Sequence, residues 1–172
     1  RQAVASLKKG RRIEELEQFA LNDSMTGFYN RNAYDYFIYN EKNIKNYMVV
    51  TFDLNNLKMR NDNYGHSSGD AYIIHSAHII ETTFDRFGKC YRIGGDEFCC
   101  LIPDAAEFQI ERFIQKMQQD IAILNNKNII PTEVGIACGY ALATPDDADI
   151  EKVRERADEM MYHNKKVLKG LI

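Results

Sequence analysis

Two hydrophobic spacings alternate along the chain. Residues 105–125 repeat apolar positions every three or four residues, which is the spacing of a helix with one buried side. Residues 47–55, YMVVTFDLN, and 134–143, VGIACGYALA, are instead continuous apolar runs with β-branched residues. Such runs are typical of strands covered on both faces. The pattern therefore predicts a sheet with helices packed against it.

A glycine pair interrupts two further apolar runs. KCYRI at 89–93 and EFCCLI at 97–102 flank Gly94 and Gly95. We predict a β-hairpin here, with a turn that uses the positive φ that glycine tolerates. Because a hairpin pairs its strands antiparallel, the fold class is α+β, with a layer of helices on each face of the sheet.

Shorter helical patterns complete the order of elements. Asn30 is predicted as the N-cap of one helix, and 56–63 as a short helix closed by Gly65. Asp70 is predicted to open a longer helix, and the sequence DADI at 147–150 to start the last one. The order is helix, strand, helices, hairpin, helix, strand, helix, without an internal repeat or a second globular domain.

The N-terminal segment differs from the rest. Residues 1–21 are predicted to be a helical linker from an upstream signalling region, followed by one domain at 22–172. Its apolar spacing is too irregular to assign a coiled coil, so a plain N-terminal helix fits as well. The segment has no signal-peptide hydrophobic region and does not begin with Met, as expected of a fragment or a trimmed chain.

Composition narrows the classes of function. The 172 residues carry a net charge of −3, so no global basic field favours nucleic acid as a partner. No apolar run approaches the roughly 20 residues that span a bilayer, so no membrane contact is expected of this segment. The four cysteines include no CxxC pair, which favours core packing in a reducing compartment over a zinc site. We expect a cytoplasmic location, alone or as part of a longer membrane-bound sensor.

Three carboxylates follow apolar strands. Asp53 ends the first strand, and Asp96 and Glu97 stand at the tip of the hairpin. If these strands are neighbours, the three acids converge and need a cation, because an unpaired buried charge is costly. Carboxylate oxygens favour Mg²⁺ or Mn²⁺, and sparse ligation leaves room for substrate phosphates. The alternative is that Asp96 and Glu97 lie on a solvent-exposed turn and bind no ion.

Other candidate residues lie on helices near these acids. The amides of Asn56, Leu57 and Lys58 stand at a strand-to-helix turn, a geometry that favours phosphate oxygens. A solvated lysine is the alternative for Lys58.

Two more pairs are candidates for nucleotide recognition. Asn61 and Asp70 could bind the edge of a purine, although a helix C-terminal Asn and an N-cap Asp are the alternatives. Lys165 and Lys169 have i, i+4 spacing and could clamp a terminal phosphate, or form a solvated cationic face.

Four motifs resemble one family in the order expected of it. GGDEF at 94–98 is the signature of the GGDEF domain, the diguanylate cyclase family. DSMTGFYNR at 23–31, FDLNNLKMRNDNYGHSSGD at 52–70 and ADEMMYHNKK at 157–166 are similar to its other motifs. The resemblance covers roughly residues 22–170.

The resemblance implies a palm-like nucleotidyl-cyclase fold, with a mostly antiparallel sheet of about five strands flanked by helices. It implies Mg²⁺- or Mn²⁺-dependent condensation of two GTP into cyclic di-GMP with release of pyrophosphate. Each of two facing domains would hold one GTP, so catalysis would need a homodimer, although an isolated domain could be monomeric.

The resemblance also implies roles for residues of this chain. Asp53, the carbonyl of Leu54 and Asp96 would hold the metal, and Glu97 would be a further ligand or help to deprotonate the 3′-hydroxyl. Guanine would be recognised by Asn61 and Asp70. The β- and γ-phosphates would meet the turn amides and the lysines, namely Asn56, Leu57, Lys58, Lys165 and Lys169.

Several positions depart from the family pattern. Asn55 stands in place of the usual Asp, Leu57 in place of Phe, and Lys169 in place of an Arg that contacts phosphate, which predicts weaker triphosphate binding. The RxxD product site before the hairpin is replaced by Asp85 and Gly88, which predicts no feedback inhibition there.

Two alternatives remain beside an active cyclase. One is a catalytically silent module that binds GTP for regulation, and the other is a protein-interaction domain without nucleotide. The retained acids favour the enzyme, and Asp70 favours GTP over ATP.

Overall fold

A computed structural model of the chain describes residues 20–168. In chain order the elements are α1 (Arg31–Asn40), β1 (Met48–Leu54), α2 (Leu57–Tyr64), α3 (His66–Phe84), β2 (Lys89–Arg92), β3 (Glu97–Ile102), a 3-10 turn (Ala105–Glu107), α4 (Ile110–Asn126), β4 (Ile136–Leu142) and α5 (Ile150–Leu168). None of the helices within 20–168 combines the length and the apolar character that crossing a bilayer requires.

The four strands form one sheet in the order β2-β3-β1-β4, and every neighbouring pair is antiparallel. The predicted α+β class and the hairpin are confirmed, whereas the expectation of about five strands is wrong for the described residues. Beside β2, Tyr29 makes only isolated bridges with Asn22 and Tyr91. The segment turns into α1 at once, with Asn30 as its predicted N-cap accepting a hydrogen bond from the Ala33 amide.

Helices cover both faces of the sheet, because β1 and β3 are apolar on both sides. One face packs against α3 and α4, and the other against α1 and α5. The first cluster includes Val50, Phe52, Phe98, Cys100, Tyr72, Ile80, Phe84 and Met117. The second includes Val49, Cys99, Leu101, Tyr91, Tyr34, Ile150, Val153 and Ala157. Alternation along β1 therefore directs Asp53, like Val49, toward the α5 face.

Two local predictions are wrong in detail. Gly94 and Gly95 do not have positive φ, and the hairpin is closed instead by the amides of Ile93 and Gly94, which both donate to the carbonyl of Glu97. Asp70 does not open α3, because Gly65, with φ of 81°, turns the chain directly from α2 into a helix that begins at His66.

Other boundaries agree with the sequence prediction to within a few residues. The pattern over 105–125 divides into the 3-10 turn and α4. Of the predicted N-terminal linker, residues 1–19 lie outside the described part of the chain, and Ala20 and Leu21 are helical.

Helix α5 approaches β4 at a glycine. A Cβ atom at Gly139 would lie 2.2 Å from the carbonyl oxygen of Ala157 and 2.3 Å from the amide nitrogen of Met161. One turn further along α5, the Asn164 side-chain amide donates to the Cys138 carbonyl at 2.8 Å. These contacts fix the position of the C-terminal half of α5 relative to the sheet.

An arginine at the end of β2 braces the tip of the hairpin. Arg92 donates to both carboxylate oxygens of Asp23, at 3.1 and 3.2 Å, and to the carbonyl of Gly95 at 2.9 Å. Asp23 also accepts hydrogen bonds from the amide and hydroxyl of Thr26, at 2.9 and 2.7 Å. The turn that precedes α1 therefore helps to position the loop that carries Asp96.

Replacing Gly139→Ala should destabilise the fold by about 1–3 kcal/mol, because the added methyl group meets helix backbone that cannot move aside cheaply. Urea denaturation measures the change. Gly95→Ala is the matched control, since nothing lies within 4 Å of its added Cβ. Equal stability of the two variants would contradict the close approach of α5.

Replacing Asp23→Asn should lower the free energy of unfolding by about 1–2 kcal/mol at neutral pH, because Arg92 loses its charged partner. Burial alone would raise the pKa of Asp23, but hydrogen bonds from Thr26 and Arg92 outweigh it and hold the pKa below its ordinary value of 3.8. The carboxylate therefore stabilises the fold above that pH, and the contribution disappears as the pH falls through the depressed pKa.

Urea denaturation at pH 6 and pH 3 tests this dependence, with the difference between wild type and variant expected to shrink at the lower pH. Asp35→Asn is the control, because its ion pair with Arg31 is half exposed and should contribute little. A difference that stays constant with pH would contradict the role of Asp23.

Candidate active site

Four elements meet at one end of the sheet, where the inner strands begin or finish. These are the end of β1, the tip of the β2–β3 hairpin, the start of α2 and the C-terminal half of α5. Asp53 pairs with Glu97 in the β1–β3 register, and the Leu54 amide donates to the Asp96 carbonyl at 3.0 Å. The structure therefore brings together the strand end and the hairpin tip on which the predicted acids lie.

Asp53 is nearly buried and forms an ion pair. Only 8% of its surface is exposed, and the ammonium of Lys165 lies 2.5 Å from its Oδ1 atom. Lys165 reaches it from α5, on the face of the sheet toward which Asp53 points. The ammonium offsets the cost of placing a carboxylate at the end of a core strand.

A cavity of about 440 Å³ opens beside this pair. Its lining contains most of the residues predicted to contact phosphate, together with one acid of the signature. The lining includes Leu54, Asn56, Leu57, Lys58, Asp96 and Lys165. Lysines from α2 and α5 thus face one polar space, whereas Lys169 lies outside the described residues.

The start of α2 offers free amides to this cavity. Asn56 is left-handed, with φ of 61°, and makes no side-chain cap to the helix. Asn tolerates this conformation better than most residues. The first amides of a helix lack carbonyl partners within it, so those of Leu57 and Lys58 are available for an anion. The turn therefore presents donors suited to an anion, and the phosphate contact stays a prediction.

Asn61 and Asp70 lie near one another, although α2 and α3 carry them separately. A Cβ atom at Gly69 would be 1.8 Å from the Asn61 Oδ1 atom, so the side chain of Asn61 rests on the backbone next to Asp70. Within residues 20–168 that buried oxygen has no hydrogen-bond partner. Asp70 is exposed beside it. An unpaired acceptor next to a carboxylate suits the N–H donors of guanine.

The three carboxylates do not form a ready-made metal cluster. Among the described residues, no three His, Cys, Asp or Glu side chains lie close enough to share an ion. Lys165 already neutralises Asp53. The Glu97 carboxylate lies over Gly94 instead, where its Oε2 atom would be 2.7 Å from a Cβ atom added to that glycine. The predicted convergence therefore holds for the backbone positions and not for the three side chains.

The oxygen donors nevertheless fit a hard divalent cation. Asp53, the Leu54 carbonyl and Asp96 offer only oxygen, which Mg²⁺ and Mn²⁺ prefer. In this structure the cation beside Asp53 is the ammonium of Lys165.

A buried arginine supports the turn between β1 and α2, and no sequence pattern predicts it. Arg60 is 3% exposed, donates to the carbonyls of Thr132 and Glu133 at 3.0 Å, and lies 4.1 Å over the ring of Tyr72. Burial lowers the pKa of its guanidinium. No carboxylate pairs with it among these contacts, and a polar helix residue of this kind is ordinarily expected in solvent.

Tyr72 completes that support. Its hydroxyl lies 2.9 Å from the carbonyl of Asn55 and 2.8 Å from that of Gly135, and accepts from the Gly135 amide at 3.0 Å. The Asn55 amide in turn donates to the Gly135 carbonyl at 2.8 Å. The turn that presents the free amides is therefore fixed to the start of β4.

Thiol chemistry does not contribute to this edge of the sheet. All four cysteines are free and buried, as core packing predicts. Burial raises the pKa of Cys138 to about 12. A hydrogen bond with Cys90, together with burial, raises the pKa of Cys100. Such thiols remain protonated at neutral pH and are poor nucleophiles.

Two curated proteins that are similar to the chain are named as diguanylate cyclases. Diguanylate cyclase DgcN of Escherichia coli is 31% identical over 157 residues, covering 88% of this chain and 38% of the relative. Diguanylate cyclase DgcS of Shewanella oneidensis is 27% identical over 161 residues, covering 88% and 52%. The chain thus spans about half the length of these relatives or less.

A solved structure shares the fold. The crystal structure of the coiled coil and GGDEF domain of DgcB from Caulobacter crescentus, in complex with c-di-GMP, has a TM-score of 0.81 at 22% identity, covering 96% of this chain and 91% of that one. The family profile described as "Diguanylate cyclase, GGDEF domain" matches residues 20–169. On the signature hairpin, the shared fold and this match, the chain belongs to the GGDEF domain family.

Proposed function

We propose that the chain is a diguanylate cyclase output domain, which condenses two GTP into cyclic di-GMP and releases pyrophosphate. The observation that carries the proposal is the cavity where Asp96, Lys58, Lys165 and the first amides of α2 face one another beside Asp53. That arrangement supplies cationic and amide donors for a triphosphate, and oxygen ligands for the cation that accompanies it.

The metal would be held by Asp53, the Leu54 carbonyl and Asp96, with Glu97 as a further ligand or as the group that helps to deprotonate the 3′-hydroxyl. When bound, Mg²⁺ or Mn²⁺ supplies charge stabilisation for the attacking and leaving oxygens. Asp96 follows Gly95, whose carbonyl accepts a hydrogen bond from Arg92. Because Arg92 also pairs with Asp23, the turn at Asp23 assists in orienting the Asp96 carboxylate.

The nucleotide would lie across α2. Its β- and γ-phosphates would accept hydrogen bonds from the amides of Asn56, Leu57 and Lys58 and pair with the Lys165 ammonium. Lys169 is proposed as a further phosphate contact. The guanine base would meet the other end of α2, where the free Oδ1 atom of Asn61 and the carboxylate of Asp70 accept from its N1 and N2 donors.

The reaction would need two copies of the domain. One chain carries one set of these residues, so the second GTP would be presented by a facing copy, with each 3′-hydroxyl attacking the α-phosphate of the other nucleotide. We propose residues 1–21 as a linker that brings two domains at 22–172 together. The supply of GTP makes the cytoplasm the proposed location.

One observation favours a second candidate, a module that binds GTP without turnover. The carboxylates do not form a three-acid cluster within the described residues, and Lys165 occupies Asp53. A domain in which that ion pair persisted would bind nucleotide and leave the metal ligands unused.

Purified protein incubated with GTP and Mg²⁺ should form cyclic di-GMP and pyrophosphate, detected by chromatography and mass spectrometry. Asp96→Asn should reduce the rate by at least about a hundredfold, because a metal ligand is lost. Asp104→Asn, at the opposite end of β3, is the matched control and should retain the rate. Nucleotide binding without product, even when a fused coiled coil enforces dimerisation, would support the silent module instead.

GTP should be preferred to ATP, because adenine presents no N–H donor pair to Asp70. We expect Asp70→Asn to reduce that preference by about 1–3 kcal/mol, the range of one bidentate base contact. Competition binding of the two nucleotides with Mg²⁺ present measures it. Ser67→Ala, on the exposed first turn of α3, is the control, and an unchanged preference in Asp70→Asn would exclude Asp70 from base recognition.

A further inference from the structure

Lys165 has two anionic partners within reach, one belonging to the protein and one expected from the substrate. Its ammonium is 2.5 Å from Asp53, and the exposed fractions of the two side chains are 23% and 12%. The same lysine lines the cavity that also contains Lys58 and Asp96. The ion pair therefore lies at the boundary between the packed core and this cavity.

Packing holds the backbone of Lys165 in place, whereas its long side chain is anchored at the ammonium by Asp53. Asn164 bonds to the Cys138 carbonyl, and the α5 backbone rests on Gly139. A change of partner would therefore be a movement of the flexible lysine side chain alone. Such a movement needs no rearrangement of the helix.

We infer that Lys165 is the built-in counter-cation of Asp53, that a divalent cation can bind Asp53 only by displacing it, and that the displaced ammonium then pairs with the triphosphate. This inference rests on the proposed function, since it describes how the same site is loaded. Its consequence is that metal and nucleotide bind cooperatively, while each alone binds weakly.

The charges explain this coupling. A metal without nucleotide would leave the displaced ammonium beside a second cation, which is repulsive. A nucleotide without metal would find Lys165 engaged with Asp53. When both are present, each positive charge has an anionic partner, because the phosphates accept the ammonium that the carboxylate releases. Two ligands that relieve each other's cost in this way show positive coupling.

Mn²⁺ titration without nucleotide, followed by electron paramagnetic resonance, tests the first half. Lys165→Met should bind Mn²⁺ at least about tenfold more tightly than wild type, because no ammonium has to be displaced. Lys166→Met is the matched control on the neighbouring position, where the ammonium lies 4.4 Å over the ring of Tyr162. Unchanged or weaker binding in Lys165→Met would overturn the inference.

The reciprocal test uses GTP with EDTA, so that no metal is present. Asp53→Asn should bind GTP several-fold more tightly than wild type, because Lys165 is released toward the cavity. Loss of the Asp53 charge alone would also help an anion to bind, so the double variant Asp53→Asn, Lys165→Met decides between the causes. The gain should disappear in the double variant, and its persistence would overturn the role of Lys165.

The failure of this inference can be distinguished from the failure of the proposed function. If wild type forms cyclic di-GMP while Lys165→Met leaves Mn²⁺ binding unchanged, the inference alone is wrong. If Lys165→Met tightens Mn²⁺ binding while wild type forms no product even when a fused coiled coil enforces dimerisation, the inference stands and the cyclase proposal is wrong. Thermal melting of every variant establishes that it is folded.

Discussion

The antiparallel pairing of β1 with β3 is the constraint on which the rest of the structure depends. Its register places Asp53 opposite Glu97. Since side chains alternate between faces, a slip of one residue would turn Asp53 into the apolar cluster that contains Phe52 and would direct Phe52 toward α5. The apolar residues on both faces oppose such a slip, and so the burial of the core fixes the position of the acids.

The charged residues of the site lie where the apolar core of the sheet ends. Asp53 lies near the end of β1, just before the turn into α2. Because its carboxylate is nearly buried, it needs a cation as a partner. Lys165 supplies it from a helix that approaches the sheet closely at Gly139. Packing and electrostatics are therefore connected, because a helix held further from β4 would leave the carboxylate without a partner. The same closeness places the ammonium at the cavity that Lys58 and Asp96 also line.

Much of this could be predicted from sequence, because strands, hairpin and helices have distinct apolar spacings and the motifs mark the site. The order of elements predicts that Asp53 and Asp96 lie together if β1 is the neighbour of the hairpin, whereas only the resemblance to the family motifs places Lys165 beside them. What could not be predicted depends on long-range contacts. The pairing of Lys165 with Asp53 joins residues far apart in sequence, and the burial of Arg60 against Tyr72 has no periodic signal. The glycine pair predicts a turn with positive φ, but two hydrogen bonds to the Glu97 carbonyl close the hairpin in another conformation.

The link from Asp23 through Arg92 to Gly95 has a mechanical consequence. One guanidinium holds both the turn that follows Leu21 and the loop that carries Asp96. A pull or twist applied to the chain ahead of this turn must either stretch those hydrogen bonds or carry the hairpin tip with it. A short path of side-chain hydrogen bonds thus transmits force from the turn at Asp23 to the loop that carries Asp96, an acid that lines the cavity.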